Sequence, residues 1–76
     1  MIAVLAGTHA QYRAYLREHR LSPTGAVHCY EVDRMRGIRF ASFVRVGSWF
    51  ELPDRVIELF AYLEATREGV RGDARH

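Results

Sequence analysis

The chain alternates short apolar runs with stretches that repeat at helical spacing. Ile2 to Ala6 is an unbroken apolar run stopped by Gly7. It is too short for a helix, and an apolar run without alternation reads as a strand buried on both faces. Thr8, followed three residues later by Gln11, matches a capping box, so a helix is expected from about His9 to Leu21. Tyr12, Tyr15, Leu16 and His19 fall at i, i+3, i+4, i+7 and form its expected inner face. Ser22-Pro23-Thr24-Gly25 reads as a turn. Ala26 to Val32 is a second strand, in which Val27 and Cys29 alternate with His28 and Tyr30. In the connector Asp33 to Gly37, the aspartate can cap a single helical turn and the glycine can end it. A third strand lies within Ile38 to Val46. Leu52-Pro53-Asp54 opens a second helix, expected from about Pro53 to Glu68, with an apolar stripe of Val56, Ile57, Leu59, Phe60 and Leu63. Gly69 followed by Val70 reads as a glycine stop.

These elements give a single α/β domain over residues 1–69 in the order β-α-β-β-α, with residues 70–76 as a frayed tail. A crossover of about 20 residues that contains a helix makes the first two strands parallel. Right-handed crossovers then favour a three-stranded parallel sheet of order 2-1-3 with two helices. The step from strand 2 to strand 3 must cross the face opposite the first helix. That face is thinly covered unless the second helix packs there. The alternative is an antiparallel hairpin of strands 2 and 3.

Composition narrows the chemistry. All 11 basic residues are arginine, and lysine and asparagine are absent. A GC-rich genome accounts for both absences. Schiff-base chemistry and a P-loop lysine are thereby excluded. A net charge of +2 permits nucleic-acid binding without demanding it. Cys29 is the single cysteine, so no intrachain disulfide can form. A small chain without staples is expected in a reducing compartment, or to oligomerise. With no apolar run of membrane-spanning length and no charged signal region at its start, the chain is expected to be cytoplasmic and free of membrane.

Three sets of residues are candidates for function. The first follows the third strand, where Gly47-Ser48 leads into Trp49-Phe50. Carboxyl ends of strands are where ligands and partners sit in α/β domains. Two consecutive large aromatics cannot both be buried on one side, and aromatics and arginine are the usual hot-spot residues. Trp49 and Phe50, with Arg45, Arg34 and Arg36, therefore form a candidate partner-binding surface; the competing reading has Trp49 capping the core. The second set is Arg13, Arg17 and Arg20 on the outer face of helix one, with Arg34, Arg36 and Arg39 in the connector. Together they could track a phosphate backbone. The third is Gly7, Thr8 and His9, where free N–H groups at a helix start could hold a phosphate. This loop lacks a G-x-G-x-x-G pattern, and no nucleophile at readable spacing completes a catalytic set with His9. His28 and Cys29 are adjacent in a strand and point to opposite faces, so no metal site is expected. Glu58, Glu64 and Glu68 make the outer surface of helix two acidic, opposite in sign to helix one, which makes a homodimer plausible.

The opening Ile2-Ala3-Val4-Leu5-Ala6-Gly7, the lysine-free composition, and the block Arg36-Gly37-Ile38-Arg39-Phe40 with Val44-Arg45-Val46-Gly47-Ser48-Trp49-Phe50-Glu51 carry a resemblance. The chain resembles small Rossmann-like proteins encoded by actinobacteria and their phages. That resemblance covers most of the chain and implies an α/β fold, with no known activity. The second block is also similar to the Arg-Gly-to-strand segment before the acidic pair of terminase and helicase ATPases. Here Val46-Gly47 replaces the acidic pair and no Gly-Lys-Thr/Ser loop is present, so ATPase activity is not implied.

The sequence thus favours a non-enzymatic protein–protein interaction module without a cofactor, docking through its aromatic and arginine surface. The first alternative is a nucleic-acid-binding accessory protein. The second is a small nucleotide- or phosphate-binding domain.

Overall fold

The computed structural model describes the backbone of residues 1–75 and the side chains of residues 1–66. Strand β1 (Ile2–Ala6) lies at the centre of a three-stranded sheet ordered β2-β1-β3, with β2 at Ala26–His28 and β3 at Ser42–Val46. Both pairings are parallel. Ile2 stands opposite Ala26 on one side and Ser42 on the other, and Ala6 pairs with Val46. Ala3, Val4, Leu5 and Ala6 have no exposed surface, which is why this strand carries no polar alternation.

The two helices take opposite faces. Helix α1 (His9–Glu18) packs Tyr12 and Leu16 against Val4, Ala6 and Ala26. Helix α2 (Asp54–Arg75) covers the other face, with Val56 and Phe60 buried against Ala3, Leu5, Val27 and Cys29. Phe43 packs edge-on against both Phe60, at 5.5 Å, and Phe40, at 5.7 Å. The second face is therefore covered within the chain, by α2 and by the single turn Val32–Met35, whose Met35 is buried in the same cluster.

Three element ends differ from the sequence pattern. Helix α1 stops at Glu18 because Arg20 adopts a left-handed φ of 53°. The Leu21 N–H then bonds back to the Leu16 carbonyl at 2.8 Å, a helix stop that usually uses glycine. His19 is consequently exposed and stacks on Tyr15 instead of lining the core. Strand β2 ends at His28 because the Tyr30 N–H turns back to the His28 carbonyl, which frees Val32 to pack under α2. Strand β3 falls inside its expected range, starting at Ser42 after Gly37 has turned the chain with a φ of 73°. Helix α2 continues past Gly69, where a stop is expected, and takes in residues 70–75 of the expected tail. Glycine lowers helix propensity by about 1 kcal/mol relative to alanine without forbidding helical angles. The side chains of that segment, including Glu68, lie outside the described residues.

Two glycines test this packing. A Cβ on Gly7 would strike the side chain and backbone carbonyl of Ser48, whereas one on Gly25 would meet open space. A domain of this size has a stability of about 4–10 kcal/mol. Gly7→Ala is expected to cost about 2–4 kcal/mol in urea unfolding, and Gly25→Ala to change stability by less than about 1 kcal/mol.

Candidate functional site

In open parallel sheets ligands gather beyond the carboxyl ends of the strands, where successive connections leave to opposite faces. With order β2-β1-β3 that crevice falls between β1 and β3. Here it is filled. Gly7, after β1, lies directly against Ser48, after β3. The Gln11 side-chain oxygen accepts from the Thr8 N–H at 3.2 Å, the Ser48 N–H at 3.1 Å and the Ser48 hydroxyl at 3.2 Å. Gly47 turns beneath that side chain with a φ of 58°, leaving no room for a Cβ.

An open cavity lies on the other side of β1, over the ends of β1 and β2, with a volume of about 550 Å³. The rings of Tyr12 and His28 stack there, 4.8 Å apart and 9° from parallel. His9, at the helix start, stands 5.6 Å from His28, and Tyr30 stands 4.8 Å from it on the β2 side. Gly7, Thr8 and Leu52 line the remainder. Arg34 enters from the connector. Its Nε donates to the His28 carbonyl at 3.0 Å and its guanidinium carbon lies 5.0 Å from the Tyr30 ring centre. Four terminal N–H groups of that guanidinium remain to be used.

His28 is 4% exposed. Its Nε2 lies 2.9 Å from the Ala6 carbonyl oxygen. A carbonyl only accepts, so Nε2 carries the hydrogen and Nδ1 is a bare acceptor. Nδ1 is buried and has no partner. Burial holds the ring below the usual histidine range; the Ala6 bond opposes this, and nearby His9 and Arg34 add to it. Burial also pushes the Tyr12 phenol up, and its hydroxyl donates to the Ala26 carbonyl at 3.3 Å. On the opposite face the Cys29 thiol is fully buried and pushed up to about 11, which removes it as a nucleophile. At the start of α1, Thr8 and Gln11 satisfy each other's N–H groups as a capping box. The N–H groups of His9 and Ala10 have no intrahelical acceptor.

The expected sites fare differently. Gly7, Thr8 and His9 all line the cavity, but Gly7 is small because of Ser48 and the Thr8 hydroxyl accepts the Gln11 N–H. The expected partner surface is divided. Trp49 packs against the core, while Phe50 beside it is 63% exposed. Arg45 is exposed but engaged: it bonds Glu64 at 2.7 Å and lies over the Trp49 and Phe60 rings. Glu64 thus leaves the acidic outer face it was assigned to. Arg36 pairs with Asp33 at 3.4 Å on the surface, and Arg34 belongs to the cavity. Arg13, Arg17 and Arg20 are exposed on α1 or just beyond its end. The segment carrying Arg36 and Arg39 packs through Met35 on the opposite face of the sheet. Of the second arginine group, Arg34 is the member that lies beside the start of α1. Among the described residues no cluster of His, Cys, Asp and Glu could hold a metal ion, and no helix is long and apolar enough to cross a membrane.

Sequence reasoning missed Tyr12, His28, Tyr30 and Leu52 as lining residues. Tyr12 and His28 carry core spacing and are in fact buried, so periodicity assigns them to packing alone. The available signal was a histidine inside a buried strand.

The state of His28 has a measurable consequence. An unfolded histidine titrates near about 6.5, and the folded ring titrates lower. Between the two values the unfolded chain binds more protons, so stability rises with pH. His28's contribution is complete above the unfolded value and is lost as pH falls through about 6.5 toward the folded one. Urea unfolding of the wild type should show this slope between about pH 7 and 5.5, and His28→Gln should flatten it. An unchanged slope in the variant would refute the assignment.

No family model, no curated protein and no solved structure matches the chain.

Proposed function

We propose that this chain is a non-enzymatic binding domain for a small anionic ligand, held over the carboxyl ends of β1 and β2. The observation that carries this reading is Arg34. Its Nε is tied to the His28 carbonyl and its plane is steadied by Tyr30, which pre-orders the terminal N–H groups at the cavity. A guanidinium fixed in this way loses little freedom on meeting a phosphate or carboxylate. The N-terminus of α1 adds a positive dipole end on the same cavity. Among the described residues no carboxylate lines it. Glu31 and Asp33 face a neighbouring groove shared with Arg36 and Arg55. Two hydroxyls of the lining are already engaged, which supports binding over catalysis: Thr8 accepts the Gln11 N–H in the helix cap and Tyr12 donates to the Ala26 carbonyl.

Phe50 supports a second reading, a docking anchor for a protein partner. It is 63% exposed at the same edge of the sheet, and its neighbour Trp49 holds the turn Trp49–Glu51 against the core.

Thermal unfolding with inorganic phosphate and with ribose 5-phosphate separates these readings. A ligand at ten times its Kd adds about 1.4 kcal/mol, a rise in Tm of several degrees for a domain this small. The anion reading expects that rise in the wild type and in Phe50→Ala, and its loss in Arg34→Ala. No rise at millimolar concentrations of either anion would contradict it and leave Phe50 as the better lead.

A further inference from the structure

An anion alone leaves most of this cavity unused. At about 550 Å³ its volume, though open to solvent, falls in the range of small-molecule sites. Its walls are largely flat: the rings of His9, Tyr12, His28 and Tyr30, and the guanidinium plane of Arg34. Both His9 and Tyr30 are exposed at the rim, where a further ring can lie against them.

The second observation is independent of charge. His28 is 4% exposed, lines the cavity and has a buried Nδ1 without a donor. Its tautomer is set by the bond from Nε2 to the Ala6 carbonyl, so Nδ1 can only accept. A buried acceptor left without a partner costs about 1–3 kcal/mol, and such atoms in native proteins call for a partner such as a ligand or water. The anion is not that partner, because a carboxylate or a phosphate monoester in its doubly ionised form offers no hydrogen. Arg34 and the start of α1 supply only donors. The complement of the whole site is therefore a molecule with an anion in one part and a donor in another.

Resting on the anion-binding reading above, we infer that the cavity takes a phosphate ester of a heteroaromatic ring bearing an N–H donor, of the size of a nucleoside monophosphate. The phosphate meets Arg34 and the N–H groups of His9 and Ala10. The ring lies against His9 and Tyr30, and its N–H is donated to Nδ1 of His28. Such a ligand sits over β1 and β2, displaced from the crevice between β1 and β3 that Ser48 fills.

Calorimetric titration of the full chain with AMP, CMP, ribose 5-phosphate and inorganic phosphate tests this, alongside proton–nitrogen spectra of the histidine rings. The expected result is that at least one of the two nucleotides binds about tenfold or more tighter than ribose 5-phosphate, from stacking of the base. Saturation should also move the Nδ1 resonance of His28 toward the position of a hydrogen-bonded acceptor. His28→Phe, which keeps a ring without an acceptor, should lose about tenfold of the nucleotide affinity and none of the phosphate affinity. Should His28→Phe fail to fold, the nitrogen spectrum of the wild type decides. Equal affinity for nucleotides and ribose 5-phosphate would overturn the ring and leave the anion site standing. An unmoved Nδ1 resonance at saturation would overturn the donor to His28. Binding of none of the four would overturn both this inference and the reading it rests on. An eight-nucleotide single strand that binds more tightly than the mononucleotides, with affinity falling steeply with salt, would overturn the small-molecule ligand in favour of a nucleic-acid surface.

Discussion

The side-chain oxygen of Gln11 takes three donors, one from the loop after β1 and two from the loop after β3. A carbonyl oxygen has two lone pairs, so the three donors share it and hold it in one place. Much of the carboxyl edge depends on this atom. It completes the capping box that starts α1. It leaves no room for a side chain at Gly47, which also turns with a positive φ. It brings Ser48 so close to residue 7 that only glycine fits. The contact joins the two ends of the sheet's longest pairing, where Ala6 lies beside Val46.

Closing the β1–β3 crevice moves the open space across β1. The remaining cavity is framed by α1 and by the turn after β2. Fixed donors from Arg34 and the helix start share this cavity with a buried acceptor that has no partner, His28 Nδ1. The ring is held neutral by burial and by neighbouring His9 and Arg34, so its acceptor is kept rather than protonated. A small chain with no spare core keeps this acceptor in place by stacking it on Tyr12, whose own hydroxyl is anchored to β2.

Much of the fold was legible because local and global signals agree. The uninterrupted apolar run of β1 fits a strand covered on both faces, the Thr8 and Gln11 pair sets the start of α1, and crossover handedness gives the order β2-β1-β3. The errors lie where a residue behaves against type. Arg20 takes a left-handed conformation that nothing in its chemistry announces. Gly69 stays within a helix. Glu64 turns toward Arg45 because β3 and α2 bring the two side chains together, a long-range fact that helical spacing does not contain. The site was half legible for the same reason. Gly7, Thr8 and His9 were found from the helix start, and Arg34 was found as a charge. Only the tertiary structure places them beside Tyr12 and His28, which by pattern are core residues and by position are also walls.

A double-mutant cycle between Gln11 and Ser48 tests the central contact most directly, by measuring unfolding free energies of Gln11→Ala, Ser48→Ala and the pair. The cap lost with Gln11 cancels in the cycle, leaving the interaction between the two side chains. A coupling of about 1 kcal/mol is expected for a part-buried hydrogen bond. Additive single effects, within about 0.3 kcal/mol, would contradict the account by showing that the Ser48 side chain adds nothing to the contact through Gln11.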